Sequence, residues 1–211
     1  MIRMAKEPHD GIIPVNNALV HKAAATIASA FMDDPSTHYA LPNPARRANL
    51  HHIVAYYLRL DLLNGGSIYT VSPECEGVAC WHPPGTKTSW LTKLRAGFLR
   101  LPLYGGMHYI RYSCQEDRFY EQLKLRHAPD KYVYLALLAV TPEYQGLGHA
   151  SKLIRHMLQY ADSQNLPCYV ETQNQKNVNM YSNYGFELKE STFYPPGSEC
   201  EVYVMVRNRA A

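Results

Sequence analysis

The sequence predicts a mixed α/β fold. One domain over residues 1–211 would carry about seven strands and several helices, with a long helical segment between the third and fourth strands. Three observations predict it. Tyr132 to Val140 is an almost unbroken apolar run, the pattern of a strand covered on both faces. Several other segments repeat apolar residues at helical spacing. The last third of the chain reads strand–helix–strand–helix–strand–strand, an order that alternates the two signals.

The elements follow in order. A short strand is expected at Ile12 to Val15. Asn16 or Asn17 can cap a helix whose Leu19, Val20, Ala23, Ile27, Ala30 and Phe31 lie on one face. Asp33-Asp34-Pro35 ends it, because the residue before proline is pushed out of the helical region. A second helix follows Pro44, with Leu50, Ile53, Val54, Tyr57 and Leu58 on one side, and Asn64-Gly65-Gly66 stops it. Strands at Ser67 to Val71 and Gly77 to Trp81 are joined through Ser72-Pro73-Glu74, and His82-Pro83-Pro84-Gly85 closes the pair. Thr86 to Asp130 reads as helical, with Leu91, Leu94, Phe98 and Leu101 as one stripe and Gly105-Gly106 as punctuation. After the long strand, Thr141-Pro142 makes a break and a helix runs from about Gly146 to Gln164. Cys168 to Thr172 is a strand and Lys176 to Tyr184 a helix. Strands at Phe186 to Thr192 and Cys200 to Val206 finish the chain.

Composition excludes several classes of function. With 46% hydrophobic and 18% charged residues, the 211-residue chain has an ordinary globular balance. It has no apolar run of about eighteen residues, so no membrane-spanning helix is expected. Met1 to Asp10 has no apolar stretch behind its basic side chains, so no signal peptide is expected either. A net charge of +3 without a basic cluster gives no reason to expect nucleic acid. Five cysteines without a Cys-x-x-Cys pair point to reduced thiols, mostly small core residues, and to the cytoplasm. No His or Cys set has metal-ligand spacing, so no metal is expected. Seventeen tyrosines, many between Tyr104 and Tyr134, suit pocket walls.

The most informative segment is Val140-Thr141-Pro142-Glu143-Tyr144-Gln145-Gly146-Leu147-Gly148-His149-Ala150. A buried strand ends, a tight turn follows, and two glycines sit at the first turn of an amphipathic helix. The first backbone N–H groups of a helix lack internal partners, and the dipole adds positive charge there. Such a turn can cradle a pyrophosphate. It is not a P-loop, since the Gly-Lys-Ser/Thr ending is absent, and it lacks the third glycine of a dinucleotide fingerprint. A helix start merely softened by glycine is the plain alternative.

Gln145-Gly146-Leu147-Gly148-His149-Ala150 satisfies Arg/Gln-x-x-Gly-x-Gly/Ala, and Asn177-Val178-Asn179-Met180-Tyr181-Ser182-Asn183-Tyr184-Gly185-Phe186 follows about thirty residues later. In these two segments the sequence resembles the GNAT superfamily of N-acetyltransferases. Ala30-Phe31 with Asp34-Pro35, Ala79-Cys80-Trp81 with Pro84, and Leu166-Pro167 with Val170-Glu171-Thr172 look like the puromycin N-acetyltransferase branch.

The resemblance implies a central, mixed, splayed sheet of about seven strands flanked by helices, with a helical insertion between the third and fourth strands and acetyl-CoA held as co-substrate in the gap between the fourth and fifth strands. It implies that backbone groups of Leu138, Ala139 and Val140 meet the pantetheine arm, one N–H facing the acetyl carbonyl. Gln145, Gly146, Leu147, Gly148, His149, Ala150 and Ser151 would meet the pyrophosphate, chiefly through backbone, with the His149 ring left facing solvent. Asn177 would bond the cofactor arm or cap the last helix. Tyr181 would protonate the leaving thiolate, the alternative being an aromatic core residue. Glu171 is implied as general base, since the fourth strand, Leu135 to Val140, carries no acid. His38 and Tyr39, in the loop after the first helix, are weaker candidates, and His51-His52 weaker still.

The acceptor is expected to be the primary amine of a small molecule, with the tyrosine-rich insertion lining its pocket or an oligomer contact; a homodimer is compatible with this. A protein or peptide acceptor would need acidic residues along a groove, and no such cluster stands in the sequence. An idle acyl-CoA-binding module is the third reading.

Overall fold

The computed structural model describes residues 11–82 and 88–208. The leader reading of Met1 to Asp10 and the Pro83-Pro84-Gly85 turn lie outside the described residues.

Seven strands form one sheet: β1 (Ile13–Pro14), β2 (Ser67–Thr70), β3 (Gly77–His82), β4 (Val133–Val140), β5 (Cys168–Thr172), β6 (Glu187–Phe193) and β7 (Glu201–Arg207). Their order is β1-β2-β3-β4-β5-β7-β6, and every neighbouring pair is antiparallel except β4 and β5. The mixed sheet and the helical insertion agree with the sequence reading.

The helices are α1 (Val20–Phe31), α2 (Pro35–Ala40), α3 (Pro44–Arg47), α4 (Leu50–Leu63), α5 (Trp90–Ala96), α6 (Leu101–His127), α7 (His149–Ser163) and α8 (Gln175–Ser182). The apolar face of α7 (Leu153, Ile154, Met157, Leu158, Ala161) buries against Ala79, Trp81, Val133 and Leu135, together with Val178 and Tyr181 from α8. Each such aliphatic side chain contributes roughly 1.5–3 kcal/mol by leaving water. On the other face α1 and α4 cover Val78, Cys80 and Ala139, while α6 covers Tyr169, Val202, Val204 and Val206.

Three expectations need correction. Asp33-Asp34-Pro35 does end the first helix, but it also starts α2: the Asp34 carboxylate accepts from the Ser36 N–H at 2.9 Å and Pro35 sits where a helix tolerates it. His38 and Tyr39 are therefore helical. The helix after Pro44 is two pieces, broken at Ala48-Asn49. The insertion's stripe is interrupted at Gly97, which takes φ +106°, leaving Leu91 71% exposed while Leu101 is buried. Gly106 breaks α6 as anticipated: at φ +77° and ψ 179° it is not helical, and a Cβ there would stand 2.9 Å from the Arg46 guanidinium carbon. Among the described residues no helix is long and apolar enough to cross a membrane.

Candidate active site

The site begins with a bulge. Trp81 of β3 lies opposite Leu135 and Cys80 opposite Leu137, so Ala136 of β4 has no partner. The extra residue reverses the strand's alternation. Before it, Val133 and Leu135 face α7; beyond it Leu138 faces α7 and Ala139 faces α1. The backbone turns with the side chains. The Val133 N–H donates to Pro167 on the β5 side at 2.9 Å, whereas the Thr141 N–H donates to Glu76 on the β3 side at 2.9 Å. Alternation back from Thr141 puts the N–H and C=O groups of Val140 and Leu138 on the β5 side and those of Ala139 on the β3 side.

No strand meets them there. β4 and β5 pair only through Val133–Cys168, Tyr134–Tyr169 and Leu135–Val170, and then part. The gap opens at the bulge. It presents an unpaired edge inside the sheet, where an extended amide-bearing chain can add like a strand. Of the three sequence-predicted backbone positions, Leu138 and Val140 face this gap and Ala139 does not.

β4 leads through Pro142–Tyr144 to α7. Gly146 and Gly148 adopt φ +81° and +84°, and a Cβ on either would meet nothing within 4 Å. The first helical bond is Lys152 N–H to Gly148 at 3.0 Å, so His149, Ala150 and Ser151 keep free N–H groups. No side chain caps them, and the first turn holds no acid to cancel the dipole. These unmet donors fit the pyrophosphate of a coenzyme A. Lys152 follows in the same turn, and Arg155 donates to the Ser151 hydroxyl at 3.2 Å. Exposed Leu147 contributes backbone only.

Two side chains of the loop turn inward, and for His149 this differs from expectation. The Gln145 side chain folds back, its Nε2 donating to the Val140 carbonyl at 3.2 Å. The His149 ring does not face solvent: it is half-buried, Nδ1 is enclosed without a partner among the described residues, and Cβ packs over Gly77. Gly77, lacking a side chain, makes that space. Its position opening β3 was the signal in the sequence.

α8 forms the opposite wall. Asn174 is its cap, accepting from the Lys176 N–H at 2.9 Å. Asn177 is therefore not the cap, and its Nδ2 donates to the Thr172 hydroxyl at 3.1 Å where β5 ends. Tyr181, four residues on, shares its helix face. The Tyr181 ring is 3% exposed and lies 5.5 Å from Phe186, and burial pushes its phenol up. No described residue hydrogen-bonds its hydroxyl. It is thus a core aromatic and a free donor at once.

Glu171 lies on β5 just beyond the last pair with β4, on the α6 side of the sheet, whereas Tyr181 lies on the α7 side. The two expected catalytic groups flank the gap from opposite faces. Burial pushes the Glu171 carboxyl up, opposed by Lys124 and by the Tyr134 and Tyr169 hydroxyls, which donate to it. Its Oε1 is enclosed.

Beneath Glu171 the insertion supplies residues the sequence reading did not single out. Tyr112, Glu116 and Tyr120 recur every fourth residue on α6, one face of the helix, and that spacing was the available signal. Tyr112 and Tyr120 pack with Tyr134, Tyr169 and Tyr194. The Tyr120 hydroxyl accepts from Gln173 Nε2 at 2.9 Å. Burial, with Asp117 and Asp34 nearby, pushes the Glu116 carboxyl up to about 7. His38 and Tyr39 are exposed on α2, and His51 and His52 belong elsewhere, His52 with His21 and Arg59 in a separate cleft of about 210 Å³.

A splayed β4–β5 gap that opens onto an uncapped helix N-terminus defines the class: an α/β fold with a groove suited to an extended, phosphate-bearing ligand. The comparisons carry this further. The acetyltransferase (GNAT) family model matches residues 103–186. An uncharacterized N-acetyltransferase of Schizosaccharomyces pombe is 27% identical over 188 residues, 82% of this chain and 72% of that one. The fold is shared with the structure described as histone acetyltransferase HPA2 and related acetyltransferase from Corynebacterium glutamicum (TM-score 0.68, 21% identity, 95% of this chain and 96% of that chain). It is also shared with the polyamine N-acetyltransferase of Drosophila melanogaster (TM-score 0.60, 13% identity, 93% and 99%) and the arylalkylamine N-acetyltransferase 2 of Aedes aegypti (TM-score 0.59, 16% identity, 94% and 98%). Residues 103–186 thus resemble the GNAT acetyltransferases, and the fold is the one these solved acetyltransferases share.

Proposed function

We propose that the chain transfers an acetyl group from acetyl-CoA to the primary amine of a small molecule, directly, with both substrates bound. The observation that carries this reading is the parting of β4 from β5 beside the uncapped start of α7. Acetyl-CoA supplies the acetyl group and a thiolate leaving group. The α7 N–H groups hold its phosphates, and Leu138 and Val140 hold its amide arm, with Asn177 across the gap. A gap-facing N–H of β4 polarises the acetyl carbonyl. Glu171 takes the proton of the incoming amine, its raised carboxyl being better matched to that task than an ordinary glutamate. Tyr181, on the other face, gives its proton to the sulfur.

The amine-acetylating neighbours of the same fold support a small acceptor, and the motif resemblance to the puromycin branch supports an aminonucleoside-like one. A peptide acceptor gains one observation, because Asp34, distant in the sequence, comes beside the adjacent pair Glu116 and Asp117. Tyrosines wall this cluster, which favours a compact amine. The exposed Trp90, Leu91, Leu99, Leu103 and Met107 of the insertion support a homodimer, and the free thiols support a reducing, cytoplasmic setting.

The test follows thiol release from acetyl-CoA with a panel of small amines and peptides. Tyr181→Phe lowers kcat by about 10²-fold or more while acetyl-CoA still binds. An unchanged kcat removes Tyr181 from the chemistry, and release with peptides alone overturns the small-molecule acceptor.

A further inference from the structure

The cleft that holds His21 and His52 plays no part in acyl transfer as described above. Its cavity of about 210 Å³ lies between α1, α4 and the turn that joins α5 to α6, and none of its lining residues belongs to β4, β5, α7 or α8. His52, Tyr56 and Arg59 share one face of α4 by their spacing of four and three residues. His21 comes from the first turn of α1, and Arg100 from the turn Phe98–Arg100 before α6. Gly97 lines the cavity beside them; at φ +106° it carries no side chain, and a Cβ there would meet nothing within 4 Å. Space is thus left open where four basic side chains converge.

The charge around this cavity is unbalanced. No Asp or Glu lines it. The Arg59 guanidinium meets an imidazole instead of a carboxylate, Nη2 donating to His21 Nε2 at 2.9 Å, and its other N–H groups stay free. The Arg100 guanidinium makes no hydrogen bond or ion pair among the described residues. Burial, with His51, His21 and Arg59, holds the His52 imidazole below its usual range, so every charge acting on that ring is positive. The carboxylate that acts on Tyr56, Asp117 of α6, is answered by Lys93 and Lys124. The His52 ring is also fixed in place, stacked on Tyr104 with centroids 4.5 Å apart and planes 21° apart. Like charges around a cavity repel one another, and a bridging anion removes that repulsion. Guanidinium groups match the paired oxygens of an oxyanion in a forked geometry. Two of them with two imidazoles suit a dianion better than a single carboxylate. The volume holds a phosphate with a few further heavy atoms and falls short of the about 300–1,000 Å³ that larger ligands need.

We infer that this cleft binds a phosphate group, free or as a small monoester, with Arg59 and Arg100 gripping its oxygens and His52 donating from its stacked ring. The site is separate from the one assigned to acetyl-CoA and does not depend on the acyl-transfer reading. A bound phosphate ties α1, α4 and the start of α6 together through groups that otherwise repel.

The experiment titrates inorganic phosphate, phenyl phosphate and acetate into the protein by calorimetry at constant ionic strength, with and without saturating coenzyme A. The expected result is phosphate binding with a Kd of about 1 mM or below, the strength of two or three charged hydrogen bonds. Acetate should bind at least about 10-fold more weakly, and coenzyme A should leave phosphate binding in place. Arg59→Gln and Arg100→Gln should each weaken phosphate about 10-fold or more. Arg100 is exposed, so its variant guards against a folding defect. Arg95→Gln removes an exposed charge outside the cleft and should change the affinity less than about twofold. Tighter binding of phenyl phosphate assigns the cleft to a monoester lying against Tyr56 and Tyr104, and equal binding assigns it to free phosphate. No phosphate binding, acetate binding of equal strength, or an equal loss in Arg95→Gln overturns the inference. Phosphate binding that coenzyme A displaces and Arg59→Gln leaves intact also overturns it, and places the anion on the α7 amides. Phosphate binding that is lost in Arg59→Gln, in a protein that takes up no coenzyme A, upholds the cleft and rejects the phosphate loop at α7 instead.

Discussion

Replacing Glu116 by glutamine should stabilise the fold, and only at neutral to alkaline pH. The Glu116 carboxyl titrates near 7 in the folded chain against 4.5 ordinarily, with burial as the main cause. Between those values the folded state holds more protons than the unfolded state, so stability falls as pH rises. The penalty is absent below about pH 4.5 and complete above about pH 7. At 1.36 kcal/mol per pKa unit its ceiling is about 3 kcal/mol. Partial contact with solvent and sharing with Asp117 reduce the expected gain to about 1–2 kcal/mol. Glutamine copies the protonated acid at every pH, so the variant escapes the penalty. Urea denaturation at pH 5 and pH 8.5 reads the difference as a shift in midpoint at constant slope. A gain at pH 8.5 that shrinks toward zero at pH 5 meets the expectation. A variant no more stable than the parent at pH 8.5, or equally stabilised at both, refutes the view that Glu116 is held charged without a countercharge.

Two further expectations concern the donor and the base. Gly148→Ala adds a methyl group over the α7 amides at φ +84°, and Gly197→Ala adds one at φ +80° in a remote turn, each with nothing within 4 Å. Both should lose about 1–2 kcal/mol of stability to backbone strain, but only Gly148→Ala should weaken acetyl-CoA binding about 10-fold or more by calorimetry; equal affinities exclude the glycine loop from the phosphate site. Because burial raises the Glu171 carboxyl and a base acts only when ionised, kcat/KM should climb with pH through an apparent pKa above 4.5. Glu171→Gln should abolish that limb and lower kcat about 10²-fold, and a limb that survives in the variant assigns the base elsewhere.

The elements nearest the cofactor were legible in the sequence because their signals are local. An apolar run predicts β4, two glycines after Gln145 predict a bare helix start, and Asn177 and Tyr181 share a helix face by spacing alone. Prolines misled where chain direction and capping compete: Asp34-Pro35 stops one helix and caps the next, and Pro44 opens only a single short turn before α4 begins. The His149 ring escaped because its neighbour Gly77 comes from a strand more than sixty residues earlier.

By itself, then, the sequence determined the order of elements, the glycine turn that leaves amides unmet, and the types of residue that acyl transfer needs. The tertiary structure alone decided which of them converge. A one-residue bulge at Ala136, invisible in the apolar pattern because alanine and leucine suit either face, aims Leu138 and Val140 rather than Ala139 at the gap. The acidic cluster is also a product of packing. Asp34 caps α2, Glu116 belongs to α6 and Glu171 to β5, and only the docking of α2 and α6 against the sheet brings these charges to the same tyrosine-rich side. Local patterns encode the elements, whereas the field at a site depends on distances between segments that no local pattern contains.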